Sequence, residues 1–129
     1  MATGFPAATG DILTAAAYNG LVAYTVNADA TTDYTAVLTD AYQVLQPMNK
    51  ATAIAFKIPT NASVAFPIGT VITILNKGVG TCTISAVTSG TTTVLSAGAT
   101  AAAPTLGQYK SAALIKTATD AWYVVGAIS

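Results

Sequence analysis

The chain reads as a mainly β fold: a single β-sandwich, jelly-roll-like or barrel-like module preceded by an extended arm and a short helix. Three observations predict it. Short runs rich in Thr, Val, Ile and aromatic residues recur from Thr31 onward; Gly, Pro, Asn and Ser interrupt them at short spacing; and no segment of crossover-helix length lies between them. At 129 residues there is enough chain for one core and too little for a second. The sequence therefore divides into an N-terminal segment, 1–27, and a β module, 28–129.

Residues 1–13 are rich in Gly, Pro and Ala and read as an extended arm. Thr14 suits an N-cap, with Leu13 before it and Tyr18 at the fourth helical position, the arrangement of a hydrophobic staple. Ala15, Ala16 and Ala17 favour helix, and Tyr18, Leu21 and Val22 share one face, so a helix is expected from Ala15 to Tyr24. Strands follow over Tyr34–Leu38 and Gln43–Met48, where Pro47 points to an edge or an ending.

Ala51–Ile58 alternates, with Thr52, Ile54, Phe56 and Ile58 on one face. Pro59 stops that run. Thr70–Leu75 and Thr81–Val87 flank Asn76-Lys77-Gly78-Val79-Gly80, whose glycines supply the positive φ of a tight reversal, so the two runs are expected to pair as a hairpin. Thr92–Ser96 comes after a Ser89-Gly90 turn, and 98–104 is an alanine-rich loop. Gln108–Lys116 and Ala121–Ala127 form a terminal hairpin around Thr119-Asp120. No repeat of solenoid period is visible.

Composition narrows the function. Charged residues are 8% of the chain, against about 25% in an ordinary soluble domain, and formal net charge is zero. Charge of one sign keeps small domains apart, and a surface of Thr, Ser, Asn and Gln does not. Burial of much of the exterior against partner subunits follows. Five scattered lysines make no basic patch for nucleic acid, and no apolar run approaches the roughly 20 residues that span a bilayer. Met1–Pro6 lacks the character of a signal peptide, so synthesis in a cytoplasm is expected.

Candidate chemistry is sparse. Histidine, glutamate and arginine are absent, which removes the usual general acids and bases other than aspartate. Asp11, Asp29, Asp33, Asp40 and Asp120 all sit in turn-like contexts where local bonding to backbone amides accounts for them. A calcium site built on Asp29 and Asp33 is the sharper alternative. One cysteine, Cys82, alternates with Ile84 and Ala86 as a buried strand residue would, and lacks the cationic neighbour of a nucleophile. Neither a catalytic, a cofactor nor a metal site is expected. Asn61-Ala62-Ser63 matches a glycosylation sequon but reads as a loop. Tyr109, Trp122 and Tyr123 could stack on a sugar, although core or subunit packing is the favoured explanation.

Two segments carry a resemblance. Gly10-Asp11-Ile12-Leu13-Thr14-Ala15-Ala16-Ala17-Tyr18-Asn19 resembles a stretch near the N-termini of bacteriophage tail-fibre and other virion proteins. Phe66–Ile74, Gly78–Ile84, Ser111–Lys116 and Asp120–Gly126 together are similar to a β module at the ends of phage tail proteins and in small head proteins. The resemblance implies a virion structural protein, often a homotrimer, without catalytic residues. Because neither heptads nor a collagen-like repeat supplies a fibre shaft, the expectation is a capsid cement or decoration protein on the head surface, bridging major capsid protein subunits. The alternative is a tail-fibre or tail-tip protein that binds a host-surface glycan. Candidate assembly contacts are Phe5, Ile12, Leu13, Tyr18, Leu21, Tyr24, Trp122 and Tyr123.

Overall fold

The structure, a computed structural model, describes residues 14, 15, 23–97 and 101–128. The expected arm lies outside these residues, as does the expected helix but for Ala15, Ala23 and Tyr24; the last two are not helical.

The described chain is mainly β, in two mixed sheets. Across sheet A the order is β1 (Thr25–Val26), β3 (Val44–Met48), β5 (Val71–Asn76), β9 (Ser111–Ala118), β10 (Ala121–Gly126) and β7 (Thr93–Ser96). Sheet B runs β2 (Tyr34–Thr35), β4 (Ile54–Ile58), β6 (Cys82–Ala86) and β8 (Thr105–Leu106). From β1 to β8 the chain alternates between the sheets. From β1 to β6 the partners within a sheet are consequently next-but-one in sequence, and β1, β3 and β5, like β2, β4 and β6, pair in parallel.

The expected hairpin over 70–87 is corrected by this topology. β5 pairs with β3 and β9, and β6 with β4 and β8, so residues 77–81 form an arch that carries the chain from one sheet to the other. In both sheets a residue of the β3–β4 coil faces the residue 28 positions later in the β5–β6 coil: Leu45 faces Thr73 and Ile54 faces Cys82. The same offset runs through the arch, where Gly78 lies against Lys50 and Gly80 against Thr52, and Gly80 N donates to Lys50 O. The sequence hides this repeat because stacked coils need only equal arch lengths and matching alternation; none of residues 45–58 is identical to its partner.

Gly78 and Gly80 serve a different purpose from the one the sequence suggested. Neither has positive φ. A Cβ on Gly78 would lie 2.3 Å from Lys50 O, and one on Gly80 would lie 1.8 Å from Thr52 O, so only glycine lets the two arches stack. Asn76 holds the arch from inside: its amide Nδ2 donates to Gly80 O and Leu106 O at 2.9 Å each, and its Oδ1 accepts from Gly78 N.

Other elements follow the sequence more closely. Ile54, Phe56 and Ile58 point inward from β4, and Cys82 and Ile84 from β6. β9 and β10 form the expected terminal hairpin, with Asp120 at φ 56 in its turn. The expected strand from Tyr34 to Leu38 shortens to β2, because Leu38–Ala41 closes into a 3-10 turn over the Asp40 carboxylate. Of the edge or ending expected at Pro47, the ending holds: it is the next-to-last residue of β3, which lies inside sheet A. The carbonyls of Gln43 and Leu45 accept from Thr25 and Asn27, so the missing N–H of Pro47 falls where β1 has already ended.

Both sheets contribute to one core. Met48, Ile72, Ile74, Leu114, Val124 and Trp122 come from sheet A, and Ile54, Phe56, Ile58, Cys82, Ile84 and Leu106 from sheet B. Burying each large apolar side chain contributes about 1.5–3 kcal/mol. Trp122 meets Phe66 edge-on at 5.4 Å between ring centroids, which closes the core beneath the 59–70 connection.

Candidate assembly surface

The two sheets present very different exteriors. In sheet B the outward rows are Thr35, Lys57 and Ser85, then Ala55, Thr83 and Thr105. Hydroxyls and a lysine make that face polar, and Asp33 at its rim accepts from Ala55 N while lying 3.8 Å from Lys57 Nζ. In sheet A the outward rows are Leu45, Thr73, Ala113 and Val125, then Val71, Ile115, Tyr123 and Leu95. Leu75 and Ser111 extend it. No charged side chain stands in these rows.

Val71, Leu95, Tyr123 and Val125 are each at least 39% exposed. A groove lined by Leu95, Tyr123, Val125 and Ile128 runs along β7 and β10 at one margin of the face. Of the expected assembly contacts, Tyr123 therefore lies on this face. Tyr24 is exposed just before β1. Trp122 is corrected: at 2% exposure it is a core residue, because it alternates with Tyr123 along β10 and points to the opposite side. The aromatic platform of Tyr109, Trp122 and Tyr123 loses its middle member for the same reason. Phe5, Ile12, Leu13, Tyr18 and Leu21 lie outside the described residues.

Sequence reasoning missed Val71, Leu95, Ile115 and Val125. A signal was present: Val71–Leu75, Ala112–Ile115 and Trp122–Val125 are almost unbroken apolar runs, the pattern of strands covered on both faces.

The ionisable groups are engaged in holding the fold. Asp40, 1% exposed, accepts from Tyr34 OH at 2.7 Å, from Val37 N at 3.0 Å and from Asn27 Nδ2, and Asn27 in turn donates to Gln46 Oε1. Burial, and then the bond to Asp40, hold the Tyr34 phenol well above the ordinary tyrosine value. Asp120 Oδ1 accepts from Asn61 N at 2.7 Å and from Thr92 Oγ1. Lys116, 2% exposed, donates to Asn61 Oδ1 and Phe66 O, so the sequon asparagine is part of a clamp on the 59–70 connection.

Asp29 takes both oxygens to Lys77 Nζ, at 2.8 and 3.0 Å, and accepts from Asn49. The Lys77 bond first, then that of Asn49, lowers its carboxyl below the ordinary value. Asp29 and Asp33 thus serve different partners, and no group of three potential metal ligands occurs among the described residues. Asp11 lies outside the described residues; of the other four, Asp40 has the local turn bond, to Val37 N, whereas Asp29, Asp33 and Asp120 are tied across long stretches of sequence. Cys82 is buried, and desolvation pushes its thiol up to about 11. A thiol held so far from its thiolate is a poor nucleophile at neutral pH.

Comparison with protein families, with curated proteins and with solved structures returns no match.

Proposed function

We propose that the chain is a non-catalytic structural subunit of a bacteriophage particle, a cement protein that stabilises the head shell by bridging capsid subunits. The observation that carries this reading is the uncharged apolar exterior of sheet A, on a protein whose described carboxylates and buried cysteine are either bonded into the fold or chemically quiet. A surface of that kind is made to be covered. The two sheets close over their shared core as a β-sandwich, a rigid body suited to bearing load. Its partners in this reading are copies of itself, as a homotrimer, and the major capsid protein, and its place is the head surface of the virion.

Attachment works through burial of apolar and hydrogen-bonding area, multiplied by several simultaneous contacts. In this reading residues 1–27 dock or interlock with neighbouring subunits. Deletion of residues 1–13 is expected to weaken attachment to the particle while leaving the β module folded, and undiminished attachment would contradict that assignment. Electron microscopy of the particle decides the location. Density for this chain over the shell supports the cement reading, whereas density at the tail favours the alternative of a host-recognition tip, for which the exposed Tyr109 would be the first sugar-stacking residue to examine.

A further inference from the structure

We propose that Lys116 and Asn61 join covalently, through an isopeptide bond that the folded chain forms on itself and that staples the 59–70 connection to sheet A. The reaction occurs once per molecule and has no turnover. It goes beyond the structural-subunit reading and does not depend on it.

The lysine is the first reason. Along β9 the inward positions are Ala112, Leu114 and Lys116, and all three are buried. An ammonium in such a row needs an anion beside it to offset its lost hydration, and an apolar side chain of similar volume would fill the place at less cost. Lys116 Nζ instead meets two neutral oxygens, Asn61 Oδ1 at 2.6 Å and Phe66 O at 2.7 Å. Both ion pairs among the described residues use other lysines, Lys57 and Lys77. A desolvated lysine of this kind is suited to act as an amine nucleophile.

The asparagine is the second. The contact with Oδ1 at 2.6 Å places the amide carbon Cγ within about 3.8 Å of Nζ, close to the roughly 3–3.5 Å of a reactive approach. Both residues are held by their backbones: Asn61 N donates to Asp120 Oδ1 at 2.7 Å, Lys116 N donates to Thr70 O, and Lys116 O accepts from Gly69 N. Asn27, Asn49 and Asn76 each donate from Nδ2 to a protein oxygen. Asn61 Nδ2 makes no such bond among the described residues, and Asn61 is only half-buried, so a departing ammonia has a way to water.

In the reaction the neutral amine of Lys116 attacks Cγ. The Nζ–Cγ bond forms, the Cγ–Nδ2 bond breaks, and Nδ2 leaves as ammonia with the proton that the amine gives up. No oxidant, reductant or cofactor is consumed. Asp120 relays that proton: its bonds from Asn61 N and Thr92 Oγ1 both fall on Oδ1, which leaves Oδ2 to carry it. The product ties together residues 55 apart in sequence, over the contact of Phe66 with Trp122. Such a tie restricts the unfolded chain as a disulfide does, in a protein whose single cysteine allows no disulfide within the chain.

The test is peptide mapping of the full purified chain by mass spectrometry. Trypsin cuts after Lys57, Lys77 and Lys110 but not after an acylated Lys116, so the expected product is a branched peptide joining 58–77 to 111–129, lighter than its two parts by one ammonia. Lys116→Met and Asn61→Ala, each checked for strand signal by circular dichroism, should keep their full mass and give no branch. Asp120→Asn keeps an oxygen for Asn61 N and suits the positive φ of that position, but removes the proton carrier. It should slow branching at least about tenfold in chain sampled at intervals after synthesis, and an unchanged rate would take Asp120 out of the step. Separate peptides 58–77, 111–116 and 117–129 from the unmodified chain would overturn the inference, and that reading requires no variant to fold. So would loss of ammonia at Asn61 without a branch, which marks closure of the asparagine on its own backbone.

Discussion

Sheet A and sheet B share one core yet face outward in opposite ways, and the contrast shows how one short sequence can encode both a fold and a surface. Sheet B alternates strictly: Ile54, Phe56, Ile58, Cys82 and Ile84 turn inward while Lys57, Thr83 and Ser85 turn out. Sheet A does not alternate in polarity at all. Its inner residues, Ile72, Leu114 and Val124, stand next in sequence to Val71, Ile115 and Val125, which face outward. Folding requires only the inner set. The outer set plays no part in the core of the described residues, and the proposed assembly role accounts for it.

The largest expected effect breaks both sheets at once. Gly80→Val would drive a side chain into the Thr52 backbone where the two arches stack. Overpacking of this kind costs about 3 kcal/mol or more when backbone must move. Denaturant unfolding should show that loss, and a change below about 1 kcal/mol would mean that the arches do not stack as described. Asn76→Ala follows. It removes the amide that donates to two buried carbonyls, each loss costing about 1–3 kcal/mol, and the oxygen that accepts from Gly78 N, which keeps its bond to Met48 O; a midpoint equal to that of the unmodified protein would dismiss Asn76 as the arch's support.

A smaller effect is expected at the Asp40 cluster, which ties the edge strand of sheet B to sheet A through Tyr34, Asn27 and Gln46. Asp40→Ala should cost about 2 kcal/mol. It should also bring the Tyr34 titration, followed by ultraviolet absorbance, back down towards the ordinary tyrosine range. The folded phenol titrates above its ordinary value of 10.0, so its contribution to stability is complete below that value and is lost as pH rises through the folded one. Unchanged Tyr34 titration in the variant would separate the two residues.

The smallest effect belongs to Lys77→Ala, which removes an exposed ion pair with Asp29. The folded Asp29 carboxyl lies below its ordinary value of 3.8, so its contribution is present above that value and disappears as pH falls through the lower folded one. Acid titration should therefore show the stability of the variant and the unmodified protein converging, and a difference that widens towards low pH would reverse the assignment.

Much of this was legible from the residues alone. Period-two alternation located β4 and β6, and the turn residues Ser89, Gly90, Thr119 and Asp120 located β7, β9 and β10. Pairing was not legible, because a glycine-containing connection of five residues serves a hairpin and an arch equally well; what decides is which strands supply the neighbouring coil, and that is long-range information. The glycines were correctly singled out for the wrong reason, since a close approach to Lys50 and Thr52 leaves no local mark in the sequence. Trp122 reads from the sequence as a core or an interface anchor, because size and aromaticity serve both alike, and the structure places it in the core. Burial separates it from Tyr123, its immediate neighbour.

Hydroxyl-radical footprinting of the chain, free in solution and bound to the particle, tests the contrast between the faces most directly, because it reads side-chain access residue by residue. Leu95, Tyr123 and Val125 should become shielded on the particle, while Val79, Val87 and Tyr109, which are exposed away from sheet A's outer rows, should be modified equally under both conditions. Equal modification of Leu95, Tyr123 and Val125 under both conditions, or shielding confined to Val79, Val87 and Tyr109, would contradict it.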